Sequence, residues 1–577
     1  MSPAHVLRFE WRDTGTEIRS DPDFDPNIDP FARIGAMATN PSASAAPAAP
    51  ITVREAVIGL LRALKLTTVF GNPGSTELPM FRGFPRDFRY VLGLQESVVI
   101  GMADGYAQAT RNAAFVNLHS AAGVGHAMGN IFTAYKNRTP LVITAGQQAR
   151  SILPYEPFLF AAQAVELPKP YVKWSNEPAR AQDVPAAIAR AYHVAMQPPC
   201  GPTFVSIPVD DWEQPAETLT AHSVTHALRA DPAAIERAGA ALDRCKRPVF
   251  VVGAAVDRDD AWHETVALAE RHRALVWVSP MAARSSFPES HPLFAGFLPA
   301  SREKLVQCLA GHDVVLALGA PVFTYHVEGF GPHLPAGAEL FQLIDDPDMA
   351  AWTPVGQSIV CTIKLGLTDL LARPAPAPRA ALQGRAAPPR VDAAERVTVP
   401  YLMQTLAELR PADSILVEES PSSRVTMQAY LPIDRPNGFY TCASGGLGHS
   451  LPAAVGIALA RGAEERVIGL FGDGSSMYAI QALWSAAQLK LPMTIVIVNN
   501  GGYAALDQFA GHFGIDKPVG TALPALDFAA LAEAQGCRGV RVERSAELSD
   551  ALRAALASAE PTVVEVKVAA TALALHI

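Results

Sequence analysis

Two glycine-rich loops in the C-terminal third of the chain carry the residues best suited to chemistry. Gly472-Asp473-Gly474-Ser475 follows the apolar run RVIGLF, and Asn499-Asn500-Gly501-Gly502 follows the apolar run MTIVIV. A helical segment separates the runs, which predicts one strand–helix–strand unit with both loops at the same sheet edge. A carboxylate from Asp473, an amide oxygen from Asn500 and a free backbone carbonyl there would suit Mg²⁺ that also holds a diphosphate.

Each loop by itself also has a purely structural explanation. Asp473 could cap a helix, and the Asn-Gly pair could form a turn. Short motifs often occur by chance, but two of them at neighbouring strand ends favour a binding site. Glycines around Asp473 would let the backbone approach phosphate oxygens, which a helix N-terminus also favours.

The elements that must position these loops follow an alternating pattern of helices and short β-rich runs from Ile51 onwards. This pattern predicts an α/β protein with three doubly wound, parallel-sheet domains. We place them at 51–220, 232–370 and 397–570, with a linker rich in Pro, Ala and Arg at 371–396. Ligands of such sheets bind beyond the carboxyl ends of the strands.

Composition excludes several classes of protein. The net charge of the 577 residues is −9 and no Lys/Arg-rich run is present, so a nucleic-acid partner is not expected. No apolar run is long enough for a membrane helix. The six scattered cysteines indicate reduced thiols in a cytoplasmic protein. Residues 1–50 are acidic and then Ala/Pro-rich, and we expect a disordered N-terminal extension, with Met37 as a candidate physiological start.

The spacing of GDGS and NN resembles the thiamine diphosphate and magnesium motif of the pyruvate decarboxylase and acetolactate synthase superfamily. Further segments, in order along the chain, resemble the benzoylformate decarboxylase family: NPGSTELP (72–79), DFRYVLGLQE (87–96), DGYAQAT (104–110), VNLHSAAG (116–123), PLVITAGQQ (140–148), GAPVFTYH (319–326) and GGLGHSLPAA (445–454). The resemblance covers nearly all of 51–570. It implies thiamine diphosphate and Mg²⁺ as cofactors, and non-oxidative decarboxylation of an aryl 2-oxo acid to an aldehyde and CO₂.

The same resemblance implies roles around the cofactor. Glu96 would bond the pyrimidine N1′ and stabilise the imino tautomer whose 4′-nitrogen deprotonates thiazolium C2. The carbonyl of Gly445 would hold that nitrogen, and Leu447 would press the two rings together, which brings the reacting atoms close. The remaining cofactor ligands would be Asp473, Gly474, Ser475, Asn500, Gly502 and Tyr503, of which Asp473, Asn500 and Gly502 would also bind the metal.

The resemblance further implies that His119 and His326 transfer protons near the reactive carbon, which imidazole does well near neutral pH. Ser75 would orient the substrate carboxylate, and Glu77 would join its polar network. Taken singly, each of these residues would be assigned a structural role. The substrate pocket would be formed by Phe158, Leu159, Thr441, Ala505, Leu506 and Phe509.

The chain departs from the family pattern at several positions near the substrate. Thr441 stands where the family has an aromatic residue, while Glu418 and Pro421 replace polar uncharged residues. Gly502 replaces a threonine, which is harmless if only its carbonyl binds metal. These departures concern the side chain of the accepted 2-oxo acid and leave the cofactor unaffected.

The resemblance implies a cofactor held between the first domain of one chain and the third domain of another. A homodimer would be the minimal unit and a homotetramer the usual assembly. The alternatives are an acetolactate-synthase-like carboligase, a non-catalytic regulatory subunit that binds thiamine diphosphate, and a flavin enzyme. The two histidines favour protonation, the catalytic residues are all retained, and no G-x-G-x-x-G follows the strands of the middle domain.

Overall fold

Three six-stranded sheets form the framework of the molecule. The computed structural model describes residues 51–380 and 382–569, so the expectations for residues 1–50, Met37 included, lie outside the described part. All neighbouring strands within each six-stranded sheet run parallel. The predicted α/β fold with three parallel-sheet domains is confirmed.

The first sheet has the strand order β3-β2-β4-β5-β7-β6. The first and last strands of this part of the chain, β1 and β8, form a separate short antiparallel pair. The central strands of the first sheet are fully buried because helices cover the sheet, which is why they are apolar runs without alternation. The elements are β1 (Ile51–Thr52), α1 (Val53–Ala63), β2 (Thr68–Gly71), β3 (Arg89–Leu92), α2 (Glu96–Thr110), β4 (Ala114–Leu118), α3 (Ser120–Asn137), β5 (Leu141–Gln147), β6 (Ser175–Asn176), α4 (Val184–Met196), β7 (Pro202–Pro208) and β8 (Pro215–Ala216).

The middle sheet has the strand order β11-β10-β9-β12-β13-β14. Its core strands, such as PVFVV and VVLAL, are buried along their whole length. The elements are α5 (Pro232–Arg244), β9 (Pro248–Val252), α6 (Ala254–Arg258), α7 (Trp262–His272), β10 (Leu275–Val278), β11 (Phe294–Phe297), α8 (Arg302–Cys308), β12 (Val314–Leu318), β13 (Glu339–Ile344), α9 (Pro347–Trp352), β14 (Gln357–Val360) and α10 (Ile363–Leu371).

The third sheet has the strand order β16-β15-β17-β18-β20-β19. It contains the two runs that precede the glycine-rich loops, now seen as neighbouring strands. The elements are α11 (Val399–Leu409), β15 (Ile415–Glu419), α12 (Arg424–Tyr430), β16 (Phe439–Thr441), α13 (Ser450–Arg461), β17 (Val467–Gly472), α14 (Asp473–Met477), α15 (Ala482–Gln488), β18 (Thr494–Asn499), α16 (Ala504–His512), α17 (Phe528–Ala534), β19 (Arg538–Val542), α18 (Ser545–Ala557) and β20 (Thr562–Lys567).

Helix α2 packs on the first sheet and helix α13 on the third, and the backbones of the two helices are in contact. We call each sheet with its helices a layer. A Cβ atom built on Gly105 would lie 2.0 Å from the carbonyl oxygen of Ala453, and one built on Gly456 would lie 1.9 Å from that of Met102. Only glycine permits such an approach. The contact fixes the start of α2, where Glu96 lies, relative to the loop that leads into α13. Among the described residues, none of the helices has the length and apolarity needed to cross a membrane.

Candidate active site

The two glycine-rich loops meet at Asp473, the first residue of α14. Its Oδ1 accepts a hydrogen bond from the N–H of Gly474 at 2.8 Å. Its Oδ2 accepts from the N–H groups of Gly501 at 2.7 Å and Gly502 at 3.1 Å, so the carboxylate joins the loop after β17 to the loop after β18. Burial raises the pKa of Asp473, and these backbone hydrogen bonds oppose the rise.

Two glycines are required by close packing within these loops. A Cβ atom on Gly474 would lie 2.3 Å from the ring of Tyr503, and one on Gly502 would lie 2.6 Å from the carbonyl oxygen of Thr521. Tyr503 therefore rests directly on the first loop. The substitution of the family's threonine by Gly502 is explained locally, since the backbone here leaves no room for a side chain.

These loops open into a cavity of about 920 Å³, which we call the cofactor cavity. Loops from the third sheet form most of it, and the loop after β12 supplies His326. Most of the predicted cofactor and pocket residues line it together: His326, Gly445, Leu447, Asp473, Gly474, Ser475, Asn500, Gly502, Tyr503, Ala505, Leu506 and Phe509.

The donor set of the cofactor cavity fits a magnesium-bound diphosphate. Asp473 offers a carboxylate that is 3% exposed, and Asn500 faces the same cavity. Within 51–380 and 382–569, no cluster of three His, Cys, Asp or Glu side chains could hold a metal by itself. A Mg²⁺ ion held by one carboxylate, one amide and one carbonyl needs no such cluster, because diphosphate oxygens and water complete its shell.

Glu419, at the end of β15, organises the loop that carries Gly445 and Leu447. Its carboxylate is 1% exposed and accepts from three consecutive backbone N–H groups: Gly448 at 2.6 Å, His449 at 3.0 Å and Ser450 at 2.7 Å. Burial raises the pKa of Glu419, and these three bonds oppose the rise. Glu419 was not predicted from sequence, although two consecutive glutamates at the end of the apolar strand ILVEE were a usable signal.

We expect Glu419→Ala to lower the apparent free energy of unfolding by about 2–4 kcal/mol, because three buried N–H groups lose their acceptor. The affinity for thiamine diphosphate should fall as well, since the loop 445–449 loses its anchor. Urea denaturation with and without the cofactor measures both effects. Glu408→Ala is the control, because Glu408 lies on α11 and forms only a half-exposed ion pair with Arg390. Equal behaviour of the two variants would contradict the role assigned to Glu419.

His119 directly follows β4, and its side chain is held by Glu77. Its Nδ1 lies 2.8 Å from Oε2 of Glu77, whose carboxylate also accepts from the N–H groups of Gly74 and Gly146, each at 2.9 Å, and from Thr76 Oγ1. Because Glu77 occupies Nδ1, the opposite nitrogen, Nε2, is left for proton transfer. A Cβ atom on Gly74 would lie 2.1 Å from the His119 ring, so the NPGS turn needs glycine there.

Glu96 and the predicted residues Ser75, Phe158 and Leu159 lie in the same layer as His119. Glu96 is 8% exposed, with Nδ2 of Asn72 at 3.4 Å and Nδ1 of His126 at 3.2 Å from its carboxylate. The carbonyl of Leu159 accepts a hydrogen bond from Ser120 Oγ at 2.7 Å, which ties its loop to the residue after His119. Phe158 is 88% exposed, and Ser75 is exposed too.

The single chain therefore divides the predicted residues into two groups. The residues of the first layer do not line the cofactor cavity: Ser75, Glu96, His119, Phe158 and Leu159. Thr441 is absent from its wall as well. Thr441 is buried, its hydroxyl donates to Glu418 at 3.0 Å and accepts from Arg424 Nη2 at 2.8 Å, and it lines an adjoining cavity.

Several residues of the cofactor cavity were not identified from sequence. They come from loops whose path is set by the tertiary structure, and no local motif distinguishes them: Glu328, Ser420, Ser422, Tyr478 and His512. Ser422 has a visible task, since its Oγ accepts from the N–H of Ala505 at 3.0 Å and fixes the start of α16.

Comparison with known proteins gives matches over most of the chain. Models of the thiamine pyrophosphate enzyme family match as the N-terminal TPP binding domain at 51–164, the central domain at 235–370 and the C-terminal TPP binding domain at 421–566. A benzoylformate decarboxylase from Pseudomonas aeruginosa is 45% identical over 520 residues, which cover 89% of this chain and 98% of the relative.

Two solved structures are similar along their whole length. The 4-hydroxybenzoylformate decarboxylase of Rhodococcus jostii RHA1 is 43% identical, covers 90% of this chain and 99% of its own, and superposes with a TM-score of 0.87. Benzoylformate decarboxylase from Polynucleobacter necessarius is 41% identical, with coverage of 91% and 99% and a TM-score of 0.89. With this identity along the whole chain, and the loops of Asp473 and Asn500 joined as described, the chain belongs to the benzoylformate decarboxylase family of thiamine pyrophosphate enzymes.

Proposed function

We propose that the chain decarboxylates an aryl 2-oxo acid without oxidation and releases an aldehyde and CO₂, using thiamine diphosphate and Mg²⁺. The observation that carries the proposal is the cofactor cavity, whose wall contains both the Asp473–Asn500 loops and His326. The relative named for this activity is 45% identical over nearly its whole length. A carboligase reaction of the acetolactate synthase kind stays the alternative outcome of the test.

The residues of the cofactor cavity suit the two ends of the cofactor. Asp473, Asn500 and the carbonyl of Gly502 would hold Mg²⁺, while Gly474, Ser475 and Tyr503 would surround the diphosphate. Gly445 has a positive φ of 72° with open space on its Cβ side, so its carbonyl can face the pyrimidine, and Leu447 lines the same wall. When bound, the cofactor supplies the electron sink that decarboxylation needs.

The protein side chains would orient the substrate and move protons. Ser75 would bond the substrate carboxylate, and His119, aligned by Glu77, would protonate the substrate oxygen during addition. His326 would deliver the proton to the carbon that loses CO₂. Ala505, Leu506 and Phe509 would hold the aryl ring by apolar contact and exclude water.

Because one chain separates these residues into two groups, we propose that a second copy completes each site. Large apolar side chains are exposed in both groups: Tyr155 80%, Phe158 88%, Leu506 52%, Phe513 70% and Val519 95%. Exposed apolar surface of this kind favours association. We propose a homodimer as the minimal active unit, in which Glu96, His119, Phe158 and Leu159 of one copy face the cofactor cavity of the other, and a homotetramer as the assembly.

The proposed activity is tested by measuring CO₂ and aldehyde from benzoylformate, pyruvate and a branched alkyl 2-oxo acid, with thiamine diphosphate and Mg²⁺ present. Benzoylformate should be the preferred substrate because the pocket is apolar and suits a flat ring. At a cofactor concentration about 100 times its Kd, the apparent stability should rise by about 2.7 kcal/mol. Formation of acetolactate from pyruvate would favour the carboligase, and the lack of both turnover and stabilisation would support a non-catalytic subunit.

We also propose the domain bounds 51–220, 232–370 and 397–570, with the linker 371–396, because each domain range contains one six-stranded sheet. A cytoplasmic location is supported by the six cysteines, all of which are free.

A further inference from the structure

A second cavity adjoins the cofactor cavity, and we call it the distal cavity. The two share His326, Pro421, Ala505 and Phe509 in their walls. Beyond this common wall, the distal cavity lies between the middle and third layers. Its remaining wall comes from four segments: the loop 278–289, residues 297–300, the start of α12, and the strand β16 with Phe439 and Thr441.

The size of the distal cavity indicates what it can hold. Its volume is about 150 Å³, and apolar cavities of about this volume accept a benzene ring. A water-sized group such as a hydroxyl needs only about 10–15 Å³. A benzoylformate ring held on the cofactor-cavity side of Phe509 would leave the distal cavity free for a further group of about ring size.

The charged groups of the distal cavity are internally balanced. Arg284 is occupied by Asp257 at 2.7 Å, Gln108 at 3.0 Å and Asn437 at 2.9 Å. Arg424 is paired with Glu418 through Nε at 2.9 Å and Nη2 at 2.6 Å. A charged ligand would meet arginine side chains whose charges are already neutralised by Asp257 and Glu418, so the cost of removing its charge from water would not be fully repaid.

Two groups remain able to bond an uncharged ligand. Within the described residues, hydrogen bonds engage Nε and Nη2 of Arg424 but not Nη1, which is a free donor on a side chain that lines the cavity. Burial raises the pKa of Glu289 to about 8, so this carboxyl is protonated and neutral at pH 7. Both groups can donate a hydrogen bond to a neutral ether or hydroxyl oxygen.

The wall shared by the two cavities contains two packed rings, one from the loop after β12 and one from α16. The imidazole of His326 and the ring of Phe509 lie edge to face, with centroids 4.8 Å apart at 65°. A substrate whose reacting carbon lies near His326 and whose ring packs on Phe509 would direct its far end past these rings, toward the distal cavity. We propose that the distal cavity binds the end of the substrate opposite the oxo acid, and that the preferred substrates are aryl 2-oxo acids elongated there by an uncharged, largely apolar group of up to ring size that carries an ether or hydroxyl oxygen.

This assignment rests on the proposed decarboxylase activity and makes Arg424 and Thr441 specificity-determining residues. The experiment uses the full chain loaded with thiamine diphosphate and Mg²⁺, and measures kcat/KM for benzoylformate, 4-phenoxybenzoylformate and 4-carboxybenzoylformate. The phenoxy compound should exceed benzoylformate by about tenfold or more, because burial of a second ring adds binding energy. The carboxy compound should be about tenfold or more below the phenoxy compound.

Val425→Phe fills the distal cavity from α12, and Ala282→Leu fills it from the opposite wall. Each should reduce kcat/KM for the phenoxy compound by about tenfold or more and keep benzoylformate turnover near the wild-type value. Thr426→Phe, on the same helix but outside both cavity walls, is the matched control. Retained benzoylformate turnover also verifies that each variant folds.

The outcomes separate the two proposals. Suppose that the wild-type enzyme turns over benzoylformate, but that kcat/KM for the phenoxy compound exceeds neither that for benzoylformate nor that for the carboxy compound. The distal cavity is then not a substrate subsite, while the proposed function stands. Equal loss of both substrates in the two filling variants would also overturn the subsite. If no 2-oxo acid is turned over by the cofactor-loaded wild type, the proposed function itself fails. The wild-type comparison decides the question even if both filling variants misfold.

Discussion

Glu96→Gln and Asp473→Asn chains, each inactive alone, should recover about a quarter of the wild-type activity when they are co-assembled. In a mixed dimer one site combines both defects, and the other combines an intact Glu96 with an intact Asp473. Random pairing makes half of the dimers mixed, with one working site of two. Asn at 473 keeps an acceptor for the N–H groups of Gly501 and Gly502, so the loops stay joined while the metal loses its carboxylate.

Recovery is measured as CO₂ release after the two chains are denatured and refolded together, with subunit exchange verified by native mass spectrometry of chains bearing different tags. Glu96→Gln mixed with a second Glu96→Gln preparation is the control and should stay inactive. Activity that does not rise after verified exchange would show that each site is contained within one chain, against the proposed dimer.

His119→Ala should lower kcat by about 10²–10⁴-fold, the usual contribution of a general acid or base. The fold should persist, because Glu77 keeps its hydrogen bonds from Gly74, Thr76 and Gly146 after the imidazole is lost. Thiamine diphosphate affinity should change little, since Asp473 and its neighbours, and not His119, are proposed to hold the diphosphate end. Steady-state kinetics and cofactor titration measure the two quantities separately.

Glu77→Gln supplies the comparison for a positioning residue. Its amide can hold the ring of His119 but places a neutral group against Nδ1, so the pH profile of kcat should shift while the loss of rate is smaller than for His119→Ala. His263→Ala, at an exposed position on α7, is the control and should behave as wild type. An unchanged kcat in His119→Ala would remove this residue from the proton-transfer role.

The proximity of the two glycine-rich loops was predictable because their geometry is local. Strands β17 and β18 are consecutive in the chain apart from short helices, and parallel neighbours end at one sheet edge, so Asp473 and Asn500 had to lie close together. The fold class was predictable for a similar reason, since buried parallel strands are continuous apolar runs separated by helical patterns. Family resemblance supplied the roles of residues such as Glu96, whose local pattern is only that of a helix start.

Other features depend on contacts between distant segments, which no local pattern encodes. Glu419 accepts hydrogen bonds from three N–H groups roughly 30 positions away in the chain. Helices α2 and α13 contact each other at glycines, which in the sequence are visible only as residues unfavourable to a helix. The separation of His119 from the cofactor cavity within one chain, and the ring-sized space beside His326, became visible only in three dimensions. Sequence by itself determined which chemical groups the strand ends present, because the apolar runs that form strands and the polar residues that follow them are visible in the short-range pattern. Tertiary packing decided which of those groups share a cavity, because that depends on how separate layers fit together.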